Sequence, residues 1–177
     1  MNKKLKSIGY ILLSAGIALF LYILLHEFGH TMVMLSVGAT ITDFSIFTAH
    51  VSAVGGNYTN LSGMWMHANG ALFPLMISFL YTLSYKKDST RPLYRIFSYM
   101  LILIPVGSMF AWVIIPFVYL QGNAPVNDDV TNFLDVFCEN YHPLIVSAAA
   151  AALIAIGVVL MIKKRLIHNF IEEIKRK

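Results

Sequence analysis

Apolar residues run in long stretches along this chain, separated by shorter polar connections. A helix needs about 20 apolar residues to cross a hydrocarbon core of about 30 Å. Stretches of that length, or nearly so, cover about residues 8–35, 65–85, 97–120 and 143–162. The pattern predicts an all-α polytopic membrane protein with about four transmembrane helices, built as a single domain over residues 1–177.

Two polar connections contain further elements. Residues 41–54 are rich in β-branched and aromatic side chains and partly alternate between apolar and polar residues, which predicts a small β-hairpin after the first helix. In the later connection, either Asp128 or Asp129 can cap a short helix over residues 130–137.

Composition agrees with a membrane location. Of the 177 residues, 58% are hydrophobic and 12% are charged, and the mean hydropathy is +0.69. Charged residues make up about 25% of a typical soluble domain. A pI near 9.2 alone would suggest nucleic acid as a partner. The 13 Lys and Arg residues instead form three clusters, within residues 3–6, 86–95 and 163–177. We therefore expect a lipid bilayer and no nucleic acid.

The three basic clusters also predict the topology. Positive charge next to membrane spans stays in the cytoplasm. Four spans place all three clusters on that side. The connections outside are then residues 36–64 and 121–142, and neither contains Lys or Arg. The prediction is a multi-pass protein of the cell membrane with both termini in the cytoplasm. Apolar spacing in residues 163–177 fits an amphipathic cytoplasmic helix, or a solvated end of the fourth span.

The first apolar stretch ends in His26-Glu27-Phe28-Gly29-His30, which is an H-E-x-x-H pattern. Residues four apart lie on one helix face, so both imidazoles can reach one metal ion. Glu27 is placed to take a proton from a water. Polar side chains near a bilayer usually face an interior or a wet cavity, which favours a site here. The alternative role is a pair of capping or packing histidines at the outer interface.

Catalytic zinc takes three protein ligands, so a third must come from elsewhere in the chain. His26 lies roughly 27 Å along the first helix from the inner face, which places the metal toward the outer side. That side offers several candidates, and spacing does not choose among Asp43, His50, His67, Asp128, Asp129, Asp135, Glu139 and His142. Asp128 and Asp129 form the best local cluster, although either could instead be a helix cap.

At these residues the chain resembles the site-2 protease family of intramembrane zinc metalloproteases, as a compact bacterial-type member without a PDZ domain. Residues 26–30 match the H-E-x-G-H form of that family, including the glycine. Residues 67–74 are similar to the small-residue segment that starts a core helix in the family. The family's third ligand is usually an Asp followed by Gly, whereas Asp129 is followed by Val130.

The resemblance implies an intramembrane zinc-dependent endopeptidase that hydrolyses peptide bonds of membrane-embedded or membrane-adjacent substrates. It implies that His26, His30 and Asp129 hold Zn²⁺, with Asp128 as the alternative third ligand. Glu27 is then the general base. The active site is expected toward the extracytoplasmic side.

Two further residues, His50 and Asn69, are candidate hydrogen-bond donors to a substrate or to its developing oxyanion. An extended substrate could add as a strand to the edge of residues 41–54. The expected partners are a membrane protein or peptide substrate and the bilayer, and the sequence predicts no oligomeric state. The alternative function is a catalytically inactive metal-binding membrane module that holds a partner transmembrane segment.

Overall fold

The computed structural model describes residues 3–175 and is mostly helical. Arg176 and Lys177, at the end of the predicted tail, lie outside the described residues. In chain order the elements are α1 (Lys3–Ser36), β1 (Ala39–Ser45), β2 (His50–Gly55), α2 (Asn60–Leu83), α3 (Pro92–Leu120), α4 (Asp129–Phe137), α5 (Leu144–Lys163) and α6 (Leu166–Lys175). The predicted helical fold with a small β insertion is confirmed.

Three helices within residues 3–175 are long and apolar enough to cross a membrane. They lie in α1, α3 and α5, over Leu5–Ser36, Pro92–Leu120 and Leu144–Lys163. Many large apolar side chains on these helices point outward, including Leu12 at 68% and Ile162 at 61% exposed. These features are consistent with a membrane protein. Helix α2, which contains most of the predicted second span, is not among the three, and its buried residues include several polar ones.

The predicted β-hairpin is confirmed as a two-stranded antiparallel sheet. Ala39 pairs with Gly55 at the base, and Ser45 pairs with His50 beside the turn. The register shifts between Ile41 and Asp43, as in a β-bulge. The hairpin packs against α1 and therefore stays close to the end of that helix.

The core forms where α3 packs between α1, α2 and α5. Ile102 and Met109 of α3 are almost fully buried, as are Leu75 of α2 and Ala150 of α5. Leu134 places α4 against the same cluster, and its exposure is 0%. The short α4 is therefore fixed by apolar burial next to the first turns of α2.

The tail forms a separate amphipathic helix, α6, rather than a continuation of α5. Arg165 takes a left-handed backbone conformation, with φ of 58°, where the chain turns between the two helices. Leu166 and Asn169 of α6 are buried. Ile171 and Ile174 are exposed.

The basic loop between α2 and α3 lies against α6. Asn169 Nδ2 donates to the carbonyl oxygen of Lys87 at 2.8 Å, and Arg95 pairs with Glu172 and Glu173 of α6. The start of α1 also approaches α6, because Ser7 Oγ lies 3.5 Å from the carbonyl oxygen of Glu173. The loop, α6 and the start of α1 thus share one end of the molecule, and the hairpin follows the other end of α1.

Candidate metal centre

Two histidines project from the last third of α1 toward the same point. His26 and His30 are one turn apart, and their ring centroids are 4.7 Å apart in an edge-to-face arrangement. Their Nε2 atoms lie 3.1 Å from each other. The helical spacing that the sequence predicted therefore brings both imidazoles to one place.

Helix α4 brings a carboxylate to the two histidines. Asp129 Oδ2 lies 3.1 Å from His26 Nε2 and 3.2 Å from His30 Nε2. Asp128 has a different role, because it is the N-cap of α4 and its Oδ1 accepts hydrogen bonds from the N–H groups of Val130 and Thr131. The neighbouring acids, which the residues alone left as alternatives, are thus separated into a cap and a member of the histidine cluster.

The atoms His26 Nε2, His30 Nε2 and Asp129 Oδ2 fit the ligand positions of a metal ion. Their separations of 3.1, 3.1 and 3.2 Å form a nearly equilateral triangle. Tetrahedral zinc has bonds of about 2.0–2.1 Å to N and O ligands, so its ligand atoms are about 3.3 Å apart. The triangle therefore matches three corners of such a site to within about 0.2 Å. Among residues 3–175, His26, His30 and Asp129 form a group that could hold a metal ion.

The hydrogen bonding of His30 also favours a metal site. Its Nδ1 lies 2.7 Å from the carbonyl oxygen of Met66, which can only accept a hydrogen bond. Nδ1 therefore carries a proton, so Nε2 is the nitrogen that faces His26 and Asp129, and it offers a lone pair to a metal ion when it is deprotonated. Metal-binding histidines commonly donate their second N–H to a carbonyl in this way. Protons cannot satisfy all three short contacts of the triangle, whereas one cation can.

His67 holds the other oxygen of the same carboxylate. Its Nδ1 lies 3.2 Å from Asp129 Oδ1, on the opposite side of the carboxylate from the two α1 histidines. Burial alone would raise the pKa of the Asp129 carboxyl. Hydrogen bonds with His26, His30 and His67 together have a larger effect and hold that pKa well below its usual range. Asp129 is therefore ionised at neutral pH. His67 was one of several candidate third ligands, and no spacing in the sequence indicated this supporting position.

Two glycines allow α1 and α2 to approach each other at this site. A Cβ on Gly29 would fall on the backbone of Asn69, with Asn69 C at 2.9 Å. A Cβ on Gly70 would fall on the imidazole of His30 and lie 2.9 Å from His26 Cε1. Small residues at a helix crossing permit such close contact. The glycine of the H-E-x-G-H pattern is therefore explained by helix packing.

Asn69, a candidate substrate or oxyanion donor, lies at this crossing. Its Nδ2 donates to the carbonyl oxygen of Gly29 at 2.7 Å, and the residue is 8% exposed. His50, the other candidate donor, lies in the site cleft, where its Nε2 is 2.6 Å from Ser52 Oγ. The structure thus gives Asn69 an interhelical bond and places His50 in the same cleft as the candidate metal ligands.

The triangle opens into a cleft of about 490 Å³. Its walls come from four elements and the segment before α4, and its lining residues are His26, Glu27, His30, Met34, Ala49, His50, Val51, Met66, His67, Asn127, Asp128 and Asp129. Glu27 is 4% exposed, and no other described side chain forms a hydrogen bond to its carboxylate. The cleft therefore places a free carboxylate beside a potential metal ion.

The remaining candidate ligands lie outside this cleft. Asp135 accepts a hydrogen bond from Tyr119 at 3.0 Å, and Glu139 accepts one from Asn60 at 3.2 Å. His142 Nδ1 accepts from the backbone N–H of Leu144. Asp43 lies on β1, opposite Ser52.

Comparison with known proteins identifies no relative of this chain. No protein-family model matches the chain, no curated protein matches it, and no solved structure matches it.

Proposed function

We propose that this chain is an intramembrane zinc-dependent endopeptidase of the site-2 protease type. The observation that carries the proposal is the nearly equilateral triangle of His26 Nε2, His30 Nε2 and Asp129 Oδ2 in a cleft that also contains Glu27. Three protein ligands leave a fourth corner open, which is the arrangement of catalytic rather than structural zinc. A set of two imidazoles and one carboxylate is a ligand set that catalytic zinc uses.

The roles of the side chains follow from their positions. When bound, zinc polarises the scissile carbonyl and acidifies a water. Glu27 takes the proton from the attacking water and returns it to the leaving amine. His67 keeps Asp129 in place through Oδ1, so that Oδ2 faces the histidines. His50 lies in the cleft wall and is the proposed donor to the developing oxyanion.

The substrate would bind as an extended strand. Ala49, His50 and Val51 form part of the cleft wall, and β2 has no strand partner on its outer edge among the described residues. An extended peptide can pair with such an edge through main-chain hydrogen bonds. This geometry suits proteolysis, because a helical substrate keeps its carbonyl groups in helix hydrogen bonds.

We also propose that α2 is a fourth span and that the site faces the extracytoplasmic side. Helix α2 has 24 residues, so it is about 36 Å long and can cross a hydrocarbon core of about 30 Å. Its polar residues His67 and Asn69 face protein partners rather than lipid. The basic loop lies against α6 at the end opposite the hairpin, which supports cytoplasmic placement of that end.

The experiment that tests the activity compares wild type with Glu27→Gln. The metal content of each purified protein is measured by mass spectrometry, and membranes containing each are compared by proteomics for peptides cut within a span. We expect Glu27→Gln to keep its zinc and to lose every cleavage product. Glu139→Gln is the matched control, because Glu139 is exposed outside the cleft and Gln can still accept from Asn60.

Two other results would contradict the proposed activity. Products of equal abundance from Glu27→Gln would remove Glu27 as the base. A different outcome would favour the inactive module that holds a partner segment. In that outcome the wild type contains zinc but yields no product, and it forms a stable membrane-protein complex that Glu27→Gln leaves intact.

A further inference from the structure

A cationic cleft lies at the end of the molecule away from the metal centre. It has a volume of about 810 Å³ and is formed by the connection between α2 and α3 and by the first turn of α3. Its lining residues are Tyr85, Lys86, Lys87, Asp88, Ser89, Arg91 and Tyr94. The cleft is separate from the proposed active site, and the proposed peptidase activity does not use it.

The cationic cleft has a surplus of unpaired positive charge. Lys86, Lys87 and Arg91 are exposed, and none of them forms a salt bridge with a described residue. Asp88 is the single acidic residue in the lining. The nearby Arg95 differs from the other cations, since its Nη1 lies 2.9 Å from a carboxylate oxygen of the buried Glu173. Three free cations and one carboxylate favour an anionic ligand.

The backbone of this loop is held in shape by buried contacts. Asn169 is 2% exposed, and its Nδ2 donates to the carbonyl oxygen of Lys87 at 2.8 Å and to Tyr85 at 2.9 Å. The backbone N–H of Lys86 donates to the Tyr94 hydroxyl at 2.9 Å. The rings of Tyr85 and Tyr94 stack, with their centroids 5.2 Å apart. The cations are therefore presented by an ordered loop, which lowers the entropy cost of binding.

An apolar crevice continues from the cationic cleft along the membrane-crossing helices. It has a volume of about 440 Å³ and lies between α1 and the start of α3. Its lining residues are Ser14, Ile17, Arg91, Leu93, Tyr94 and Phe97. Arg91 and Tyr94 belong to both cavities, so an anion-binding region and an apolar region meet at these two side chains.

We infer that the two cavities together bind one anionic phospholipid. Its phosphate lies among Lys86, Lys87 and Arg91, and one acyl chain follows the apolar crevice past Ile17 and Phe97. The position agrees with this ligand, because Arg91 directly precedes α3, which is apolar enough to cross a membrane. Basic pockets beside transmembrane helices are recognised by anionic lipid headgroups. A free phosphate ion would use the cationic cleft and leave the crevice unused.

The binding test uses the full chain in a neutral detergent with equimolar phosphatidylglycerol and phosphatidylcholine, and native mass spectrometry counts each bound lipid. We expect retention of one phosphatidylglycerol in preference to phosphatidylcholine. One basic side chain near a membrane surface contributes about 1 kcal/mol, or about fivefold in affinity. K86Q/K87Q/R91Q should therefore weaken phosphatidylglycerol binding by about 100-fold.

The matched control is K6Q/K163Q/K175Q, which removes the same charge from three exposed lysines outside both cavities. We expect at most a twofold loss of phosphatidylglycerol. An equal loss in this control, or equal retention of the two lipids by wild type, would overturn the inference. Zinc content measured in the same samples should stay constant in both triple variants, so a failure here is separate from a failure of the proposed peptidase site.

The crevice is tested by filling it. Ile17→Trp places a bulky ring at the crevice wall without changing charge, and we expect it to reduce phosphatidylglycerol binding by at least tenfold. Inorganic phosphate at millimolar concentration should not displace the lipid. Displacement by phosphate, together with unchanged binding by Ile17→Trp, would show that the cleft recognises a phosphate ion alone and would refute the lipid site.

Discussion

A Cβ atom on Gly70 of α2 would fall on the His30 imidazole of α1. The absence of a side chain at one position of α2 therefore permits a histidine of α1 to face Asp129. This contact also links the small-residue segment of α2 directly to the H-E-x-G-H motif of α1.

Gly70→Ala should lower zinc affinity. The new methyl group displaces the His30 ring, and losing the orientation of a metal ligand costs about 10–100-fold in metal affinity. The measurement is a zinc-chelator competition on purified protein. Gly63→Ala is the control in the same helix, because a Cβ there meets nothing within 4 Å. Equal affinity of the Gly70 and Gly63 variants would contradict the close packing described here.

Gly29→Ala should destabilise the fold itself. Its Cβ would meet backbone atoms of Asn69, which cannot rotate away, so α1 and α2 must separate. Overpacking of this kind costs about 1–3 kcal/mol, and thermal unfolding in detergent should show a lower Tm. Gly16→Ala lies in the same helix with open space around its Cβ. That variant should keep or slightly raise the Tm. A similar drop in Tm for both variants would show that the contact between α1 and α2 is not the cause.

Asp128 and Asp129 should respond differently to substitution. Asp129→Ala removes a member of the triangle and should abolish zinc retention. Asp128→Ala removes the N-cap of α4, which costs about 1 kcal/mol of stability. Asp128→Asn should restore that stability, because Asn caps as well as Asp. Zinc content and Tm measured on all three variants separate the roles, and zinc loss confined to the Asp128 variants would reverse the assignment.

His67→Ala should weaken zinc binding without removing a triangle atom. The loss of its bond to Asp129 Oδ1 frees the carboxylate to rotate, and a change of about 10–100-fold in zinc affinity is expected. His142→Ala is the control, since His142 is exposed outside the cleft. If His67→Ala instead keeps wild-type affinity, Asp129 is held by the packing of α4 alone.

Cysteine labelling should place three loops on defined sides of the membrane. In a Cys138→Ala background, Thr48→Cys in the hairpin and Asn123→Cys after α3 should react with an impermeant reagent from outside. Asp88→Cys, in the loop between α2 and α3, should react only after permeabilisation. Opposite labelling of Thr48→Cys and Asn123→Cys would mean that α2 or α3 does not cross the membrane.

Local patterns in the sequence were sufficient for some parts of the site. The spacing of His26 and His30 predicts a shared helix face, and alternation in residues 41–54 predicts the hairpin that spans Ala39–Gly55. Both patterns depend on near neighbours in the chain, so helix and strand geometry alone determines them. The short helix after Asp128 was predicted for the same reason.

The other parts depend on contacts between distant residues. Asp128 and Asp129 both suit an N-cap, and α4 packs with Val130 and Leu134 in the core and Asp129 toward α1. The position of His67 depends on where α2 crosses α1, which no local pattern reports. Helix α2 is not among the helices apolar enough to cross a membrane, and it contains His67 and Asn69, which bond to α4 and α1.

The distance along the chain between the candidate metal-binding residues has a consequence for biosynthesis. His26 precedes Asp129 by 103 residues, so a ribosome completes α1, the hairpin, α2 and α3 before it reaches Asp129. Asp129 then needs the buried Leu134 to hold α4 in place. For the proposed peptidase, this order means that the set of metal-binding side chains is complete only after most of the chain has been synthesised.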